Sequence, residues 1–283
     1  MTTTMPELPE IETVRRGLER ETVGRRVKSA EVSDAKAVRR NGSKKAFESR
    51  LEGAKIKTVD RRGSLLVMTL DSGELFVIDV GETGRLTRAT PKDPTDADTK
   101  FVVSFTQGGQ LRLSDAEGNA EAFVVTPELL NEEVPGLAEL GIDPVASPVS
   151  WTSFAQALVA RRTSKLKPLL LDPTFVVGLG GLYADEILYD AGLKPDREVS
   201  TVSTMEIRRL YRSLVEILHE ATKHHGTSTD EHPFIDLNGK PGAFQDELEV
   251  WGRDGEACRR CRGTVAKQRS GGRITYWCPN CQV

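Results

Sequence analysis

Four cysteines near the carboxyl end constrain the fold of this chain more than any other feature of its sequence. They form two C-x2-C pairs separated by sixteen residues. Each two-residue spacer lets two thiolates of one turn face a single ion, and four thiolates complete the tetrahedral shell of zinc. Disulfide bonds are the alternative, but they are rare in proteins of the cytosol. The spacing predicts one structural Zn²⁺, held by Cys258, Cys261, Cys278 and Cys281.

The sixteen-residue spacer has a suitable length for a β-hairpin, with its turn at Gly271-Gly272. Residues 252–283 also contain seven Lys or Arg against two acidic residues, in a chain whose net charge is -3. A local basic patch can bind phosphate even when the whole chain does not attract it. A solvated surface is the simpler explanation of these charges.

The amino-terminal half changes from a helix to short strands. The segment after Pro6 is typical of a helix, because Ile11, Val14 and Leu18 form one apolar stripe. Short apolar runs then recur at 65–70, 75–80, 101–105 and 111–113, with turn residues between them. This pattern predicts a β-sandwich or a β-barrel.

Beyond a Pro-containing linker at 143–148 the pattern becomes helical. We expect helices at 151–160, 166–171, 173–177, 183–191 and 204–224. The run from Gly178 to Gly181 interrupts this series, and such a turn can present backbone N–H groups to a phosphate. The first residues, MTTTMPELPE, lack the features of a secretory signal, and no apolar run approaches the length of a membrane span. We therefore expect a cytoplasmic protein without membrane contact.

Several motifs together resemble the formamidopyrimidine-DNA glycosylases of the Fpg/Nei family. Residues 5–18 read MPELPEIETVRRGL, and residues 176–197 read VVGLGGLYADEILYDAGLKPDR. Lys167-Pro168 precedes the second run, the sequence NGKPG at 238–242 follows it, and the zinc finger comes last, in the family order. The resemblance therefore extends along nearly the whole chain.

The resemblance implies an α+β multidomain protein, in agreement with the division made from the residues alone. Residues 1–142 would form a leading helix with an amino-terminal β-sandwich, and residues 143–150 a linker. Residues 151–251 would form a helix-two-turn-helix DNA-binding domain, and residues 252–283 the zinc-finger β-hairpin. The implied partner is damaged double-stranded DNA, bound by a monomer in the nucleoid.

The resemblance also implies the residues of the chemistry. A proline with a free secondary amine attacks C1′ of a damaged nucleotide that has left the base stack, and the base departs through a Schiff-base intermediate. The adjacent carboxylic acid transfers protons during opening of the sugar ring. These roles fall on Pro6 and Glu7. Five residues precede Pro6, so translation from Met5 followed by removal of that methionine is needed to free its nitrogen.

The chain departs from the family pattern at several positions. Ser64 takes the place of a catalytic lysine, and Glu82 that of a methionine that fills the space of the extruded base. In the wedge loop Glu117 and Asn119 stand near the places of an arginine and a phenylalanine, and Gly181 replaces a phosphate-binding asparagine. A carboxylate and an amide cannot easily insert apolar bulk between bases.

The retained candidates for DNA contact are spread along the second half of the chain. Arg273 matches the arginine of the family's finger, and Lys240 matches a lysine that faces phosphate. Lys167 and Tyr183 are further candidates for contact with the DNA backbone. For Tyr183 packing between helices is an equal alternative. For Arg273 a solvated position is the alternative, but its place beside the zinc finger favours contact with DNA.

Three functions remain open from the sequence. The first is a DNA glycosylase of base excision repair that removes oxidised or ring-opened bases, with possible AP lyase activity that is weakened or altered. The second is a catalytically impaired protein of the same fold that binds damaged DNA. The third is a zinc-finger protein that contacts another protein, and a weak salt dependence of DNA binding would favour it.

Overall fold

The computed structural model describes residues 6–230, 232–270 and 273–283. The chain divides into two compact units that alternate along the sequence. The sandwich unit contains Pro6 and residues 10–138 and 225–242, and the helical unit contains residues 7–9, 139–224 and 243–283. The start at Met5 and the turn at Gly271-Gly272 lie outside the described residues.

The described part of the sandwich unit contains two antiparallel sheets of four strands. Their strand orders are β1-β6-β7-β5 and β2-β3-β4-β8. The elements are α1 (Leu8–Thr22, of which Leu8 and Pro9 belong to the helical unit), β1 (Val27–Val32), α2 (Lys44–Leu51), β2 (Ile56–Arg62), β3 (Leu65–Leu70), β4 (Leu75–Asp79), β5 (Arg85–Ala89), β6 (Thr99–Phe105), β7 (Gln110–Ser114), β8 (Glu121–Val125) and α3 (Leu130–Glu133).

One apolar core joins both sheets of this unit. The rings of Phe47, Phe76 and Phe101, which come from α2, β4 and β6, lie with centroids 5.8 to 6.1 Å apart. Alternate residues of β6 are buried, as expected for a strand with one face on a core. The predicted β-sandwich is therefore confirmed, and the apolar stripe of α1 packs into the same core.

Within the residues that the structure describes, the helical unit combines four α-helices with one hairpin. Its longest helix begins with a capping box, in which Ser203 and Glu206 satisfy each other's backbone N–H groups. Hydrogen bonds from Arg197 and from Ser203 lower the pKa of Glu206 to about 2. The elements are α4 (Trp151–Val159), α5 (Leu166–Leu170), α6 (Gly181–Ala191), α7 (Thr204–Lys223), β9 (Ala266–Ser270) and β10 (Arg273–Trp277).

The helix predicted at 173–177 is wrong. Asp172 accepts hydrogen bonds from the backbone N–H and the hydroxyl of Thr174, which closes a turn instead of starting a helix. The backbone of Ile142 then pairs with Phe175 and Val177. These long-range backbone bonds replace the local bonds that a helix would have used.

The longest difference between the compact units and the expected domain limits is the segment 225–242. Residues 225–242 fall inside the expected helix-two-turn-helix domain, yet they pack with the sandwich unit. Leu237 lies in the sandwich core, and its carbonyl accepts the N–H of Arg88. Among the described residues, none of the helices has both the length and the apolar run required to cross a bilayer.

Candidate active site and zinc centre

Glu7 is buried at the amino-terminal end of α6. Its carboxylate accepts hydrogen bonds from the backbone N–H groups of Gly180 (2.7 Å), Leu182 (3.0 Å) and Tyr183 (3.4 Å). The positive end of the helix dipole and these charge-assisted bonds hold the carboxylate in one place. The sequence suggested that N–H groups of the Gly-rich turn could bind a phosphate. In the structure these N–H groups donate to an acidic side chain of the protein itself.

Glycine permits this close approach. A Cβ atom built on Gly180 would lie 2.5 Å from Glu7 Cδ and still closer to one carboxylate oxygen. The backbone of Gly180 is extended (φ -109°), so the requirement is for space and not for an unusual conformation. Leu8 adds a backbone bond of 2.8 Å to Gly178 O, which holds residues 7–9 against the Gly-rich turn.

Pro6, the predicted nucleophile, lies in the extended segment that precedes α1 and is half-buried. It directly precedes Glu7 in the sequence, so the two predicted catalytic residues are neighbours along the chain. The structure does not test the role of either residue.

Glu10 connects α1 to a distant part of the sandwich unit. Its carboxylate accepts the backbone N–H of Thr227 at 2.7 Å. Gly226, with φ of +83°, leaves the necessary room, because a Cβ there would lie 2.6 Å from Glu10 Oε1. Glu10 lies in the first turn of α1, and this hydrogen bond anchors the segment 225–242 to that helix.

A buried charge cluster follows on the same helix. Glu12 contacts Arg15, Arg16 and Arg61 at 2.9 to 3.3 Å. Burial tends to raise the pKa of Glu12, but the neighbouring guanidinium groups outweigh it and lower the pKa. The cluster joins α1 to β2, and the sequence offered no signal for it beyond an acidic residue near a helix start.

Four of the positions that depart from the family pattern lie in loops of the sandwich unit, whereas Gly181 begins α6 in the helical unit. Asp115 is fully buried and accepts hydrogen bonds from Thr83 Oγ1 (2.5 Å), Ala120 N (2.6 Å) and Glu117 N (3.1 Å). These bonds tie the loop 115–120 to the loop 81–84. The side chains of Glu82, Glu117 and Asn119 are exposed, and Ser64 lies in the turn before β3.

Lys167 is a buried member of the helical unit. Its ammonium lies 2.7 Å from Asp185 Oδ1 and donates to Ile274 O (2.8 Å) and Thr275 Oγ1 (2.9 Å). Burial lowers the pKa of Lys167 and raises that of Asp185 to about 7, while their mutual attraction opposes both shifts. Three polar partners inside the unit therefore surround the ammonium.

The other predicted DNA contacts differ in exposure. Arg273 is exposed at the start of β10, and Lys240 is exposed in a turn closed by Asp236 N donating to Lys240 O at 2.7 Å. Tyr183 is fully buried, and its ring packs against Phe244 with centroids 5.8 Å apart. The structure thus places Tyr183 at the Glu7 site, where its ring packs against Phe244. Lys167 and Arg273 lie near each other, around one cavity.

The four cysteines converge as the spacing predicted. All four sulfur atoms lie within 4.8 Å of one another, with Cys258 Sγ to Cys281 Sγ at 3.8 Å and Cys261 Sγ to Cys278 Sγ at 3.5 Å. A tetrahedron of sulfurs about 2.3 Å from zinc has edges of about 3.8 Å, whereas a disulfide requires about 2.05 Å. The cluster therefore fits one structural Zn²⁺.

A second buried acid was missed by sequence reasoning. Glu186, on α6, accepts the backbone N–H groups of Glu249 (2.9 Å), Val250 (3.0 Å) and Trp251 (2.8 Å). Burial raises its pKa despite these bonds. Through these three hydrogen bonds Glu186 fixes residues 249–251, which lead into the zinc finger. The motif ADEIL contains this residue, but its spacing alone does not reveal the partner.

Comparisons with known proteins agree along the whole chain. Sequence models match the formamidopyrimidine-DNA glycosylase N-terminal domain at residues 5–120 and the formamidopyrimidine-DNA glycosylase H2TH domain at 140–232. The zinc finger found in FPG and IleRS matches residues 255–283.

Curated relatives and solved structures lead to the same family. Formamidopyrimidine-DNA glycosylase of Pelotomaculum thermopropionicum is 37% identical over 98% of this chain and 99% of that protein. The relative of the same name from Heliobacterium modesticaldum is 39% identical over 98% of this chain and 100% of its own length. Fpg of Lactococcus lactis, solved with DNA containing an abasic site, is 30% identical with a TM-score of 0.86 and covers 98% of this chain and 99% of that one. This chain belongs to the formamidopyrimidine-DNA glycosylase family.

Proposed function

We propose that this protein is a DNA glycosylase of base excision repair in which Pro6 is the nucleophile and Glu7 the proton-transfer group. Its membership of the family supports the reaction class. The observation that carries the residue assignment is the position of Glu7, which three backbone N–H groups hold in a buried site directly after Pro6. A fixed carboxylate beside an amine is the arrangement that imine chemistry requires.

The proposed reaction uses both groups in sequence. The secondary amine of Pro6 forms a bond to C1′ of the damaged nucleotide, and the bond from C1′ to the base breaks as the base leaves with a proton. Opening of the sugar ring needs a proton at the ring oxygen, and Glu7 is the group that would supply it.

The nucleophile requires a free amino terminus at Pro6. Initiation at Met5 and removal of that methionine would provide it, and the match of the family's N-terminal domain beginning at residue 5 supports this start. An amide nitrogen within a longer chain carries no available lone pair for attack. The proposal therefore depends on processing as well as on geometry.

The proposed substrate is damaged double-stranded DNA, bound by a monomer in the cytoplasm at the nucleoid. The complex of Lactococcus lactis Fpg with DNA containing an abasic site supports the partner. The exposed Arg273 and Lys240 remain the candidates for phosphate contact. Burial of Lys167 and Tyr183 favours structural roles for these two side chains instead.

A catalytically impaired DNA-binding protein is the second candidate. The exposed carboxylates of Glu82 and Glu117 and the hydroxyl of Ser64 favour it, since none of them supplies positive charge to DNA. Both candidates share the fold and the DNA partner. They differ in whether a covalent intermediate forms at Pro6.

Borohydride trapping separates the two candidates. Protein starting at Met1 and protein whose first residue is Pro6, verified by mass, are incubated with a duplex containing an abasic site and with one containing 8-oxoguanine. We expect a reduced covalent adduct on the abasic duplex from the Pro6 form alone, because only its amine can form the imine. The matched control is Pro9→Ala in the Pro6 form, which keeps the amine and Glu7.

An adduct from both forms would place the nucleophile elsewhere in the chain. No adduct from either form, with salt-sensitive binding to the same duplexes, would reject the glycosylase with a Pro6 nucleophile on these substrates. That second result would favour the binding protein.

A further inference from the structure

A cavity of about 520 Å³ lies within the helical unit, beside the zinc-finger hairpin. Its wall includes alternate residues of β10, because Arg273, Thr275 and Trp277 project from one face of the strand. Lys165 and Lys194 complete the wall on the side of α5 and the loop after α6. The volume falls in the range of about 300 to 1,000 Å³ that is typical of small-molecule sites.

The wall of this cavity carries excess positive charge. Among the residues that the structure describes, Lys165, Lys194 and Arg273 have no carboxylate within ion-pair distance, and all three are exposed. Lys167 also lines the cavity, but Asp185 compensates its charge, and Asp196 is the acidic residue of the wall. Three uncompensated cations around one concave surface attract an anion.

An aromatic surface lies beside these cations. Trp277 is half-buried in the wall, and Lys194 Nζ lies 5.5 Å from the centre of its ring. Side chains that combine cations with an aromatic ring suit a nucleotide, since the ring stacks on the base and the cations bind the phosphate. The apolar side chain of Leu171 and the prolines 168 and 195 enclose the remainder of the cavity.

We infer that this cavity binds a nucleotide unit, with its phosphate held by Lys165, Lys194 and Arg273 and its base against Trp277. The ligand is either a segment of a DNA strand or a free nucleotide, which share this chemistry. In the first case the inference deepens the proposed function by adding a contact outside the Pro6 and Glu7 site, and it rests on DNA being the partner.

Binding of undamaged probes tests the cavity without any chemical step. Full-length Lys165→Ala/Lys194→Ala protein is compared with intact protein by fluorescence anisotropy, using labelled single-stranded octathymidylate over a range of salt concentrations. Free thymidine monophosphate is titrated separately by calorimetry. Arg208→Ala/Arg212→Ala is the matched control, because it removes two exposed cations from α7 in the same unit. Thermal melting of each variant verifies the fold.

We expect the cavity variant to bind octathymidylate about tenfold more weakly at low salt and the control variant to stay within about twofold of intact protein. Loss of the contact to this one phosphate lowers the slope of log K against log salt by about 0.7 at most. Trp277→Ala weakens binding about fivefold or more and leaves the slope unchanged, because stacking releases no counterions.

The two probes identify the ligand. Sensitivity of octathymidylate alone to the cavity substitutions identifies a strand, whereas thymidine monophosphate that binds intact protein and not the cavity variant identifies a free nucleotide. Equal behaviour of the cavity and control variants with both probes overturns the inference. Borohydride trapping reports on Pro6 independently, so failure of the cavity and failure of the proposed function give different results.

Discussion

Two regions of this protein place glutamate side chains in opposite environments, one buried and one exposed. At the start of the helical unit, the carboxylate of Glu7 is 7% exposed and is held by three backbone N–H groups. In the loops of the sandwich unit, the carboxylates of Glu82 and Glu117 are exposed to solvent. The first is a fixed group in a buried site, and the other two can act on an approaching phosphate through their charge.

The difference shows where this chain has kept precise geometry and where it has not. A buried carboxylate without hydrogen bonds would be costly, so the structure around Glu7 must provide donors at defined positions. An exposed carboxylate makes no such demand, and its effect on a phosphate is weak and screened by salt. Substitutions in the first region should therefore have large effects, and substitutions in the second small ones.

The largest effect is expected from Gly180→Ala. The added Cβ would lie 2.5 Å from Glu7 Cδ and must displace the carboxylate from its donors. We expect the rate of adduct formation in borohydride trapping to fall about 100-fold or more in the Pro6 form, because a small misplacement of a catalytic group has such consequences. Loss of the charged hydrogen bonds should also destabilise the protein by about 2 to 3 kcal/mol in chemical denaturation.

The neighbouring glycine provides the matched control for this prediction. A Cβ on Gly181 would meet only the edge of the Trp251 ring, at 3.3 Å. Gly181→Ala should therefore keep both adduct formation and most of the stability. Equal behaviour of the two alanine variants would show that the position of Glu7 does not matter for the reaction.

An intermediate effect is expected from Asp115→Asn, which alters the buried acid that joins the two loops. Burial tends to raise the pKa of Asp115, but hydrogen bonds from Ala120 N, Thr83 and Glu117 N hold it below its usual value. An amide cannot accept all of these bonds, so we expect a loss of about 1 to 3 kcal/mol at pH 7 in chemical denaturation.

The pH dependence of this loss gives a further check. Because the pKa of Asp115 is lower in the folded protein than in the unfolded chain, its ionised form contributes stability above about pH 4. That contribution disappears as the pH falls through the folded-state pKa, so the difference between Asp115→Asn and the parent protein should shrink near pH 3. A difference that stays constant from pH 7 to pH 3 would contradict the assignment of an ionised anchor.

The smallest effect is expected from Glu82→Gln/Glu117→Gln. Stability should change by less than about 0.5 kcal/mol, since both side chains are exposed. Affinity for a duplex with an abasic site should rise about two- to fivefold at low salt and return to the parent value at high salt, because screening removes the repulsion. Fluorescence anisotropy over a salt series measures both.

A control pair with the same charge change separates local from overall effects here. Glu31 and Glu52 are exposed acids elsewhere in the sandwich unit. If Glu31→Gln/Glu52→Gln raises the affinity as much as the loop variant does, the loops carry no special repulsion. The comparison between the buried and the exposed carboxylates would then rest on Glu7 and Asp115 alone.

Most of the fold followed from local patterns, and particular residues show why. The strand expected at 65–70 is β3 with the same limits, and the helices expected at 151–160 and 204–224 end within one residue of α4 and α7. Apolar periodicity signals these elements because each buries one face. The helix expected at 173–177 failed because its backbone groups pair with Ile142, about thirty residues earlier, which no local pattern records.

The residue types of the candidate site could be predicted from the sequence, but their hydrogen-bond and ion-pair partners could not. The motif at 5–18 marked Pro6 and Glu7, and the Gly-rich turn suggested an anion site. The anion is Glu7 itself, 173 residues before its first donor, Gly180. Lys167 was expected to face DNA, and the structure instead surrounds its ammonium with Asp185 and the backbone and side chain of β10.

The sequence is sufficient to predict the zinc ligands, the strand pattern and the four described α-helices of the helical unit. Each of these features depends on the spacing between residues that are close along the chain. The tertiary structure decided which buried charges meet, which glycines leave room for a carboxylate, and which lysines remain free to face a cavity. Such pairings join residues that are far apart in sequence, and their energy comes from desolvation and hydrogen bonding that exist only once the chain has folded.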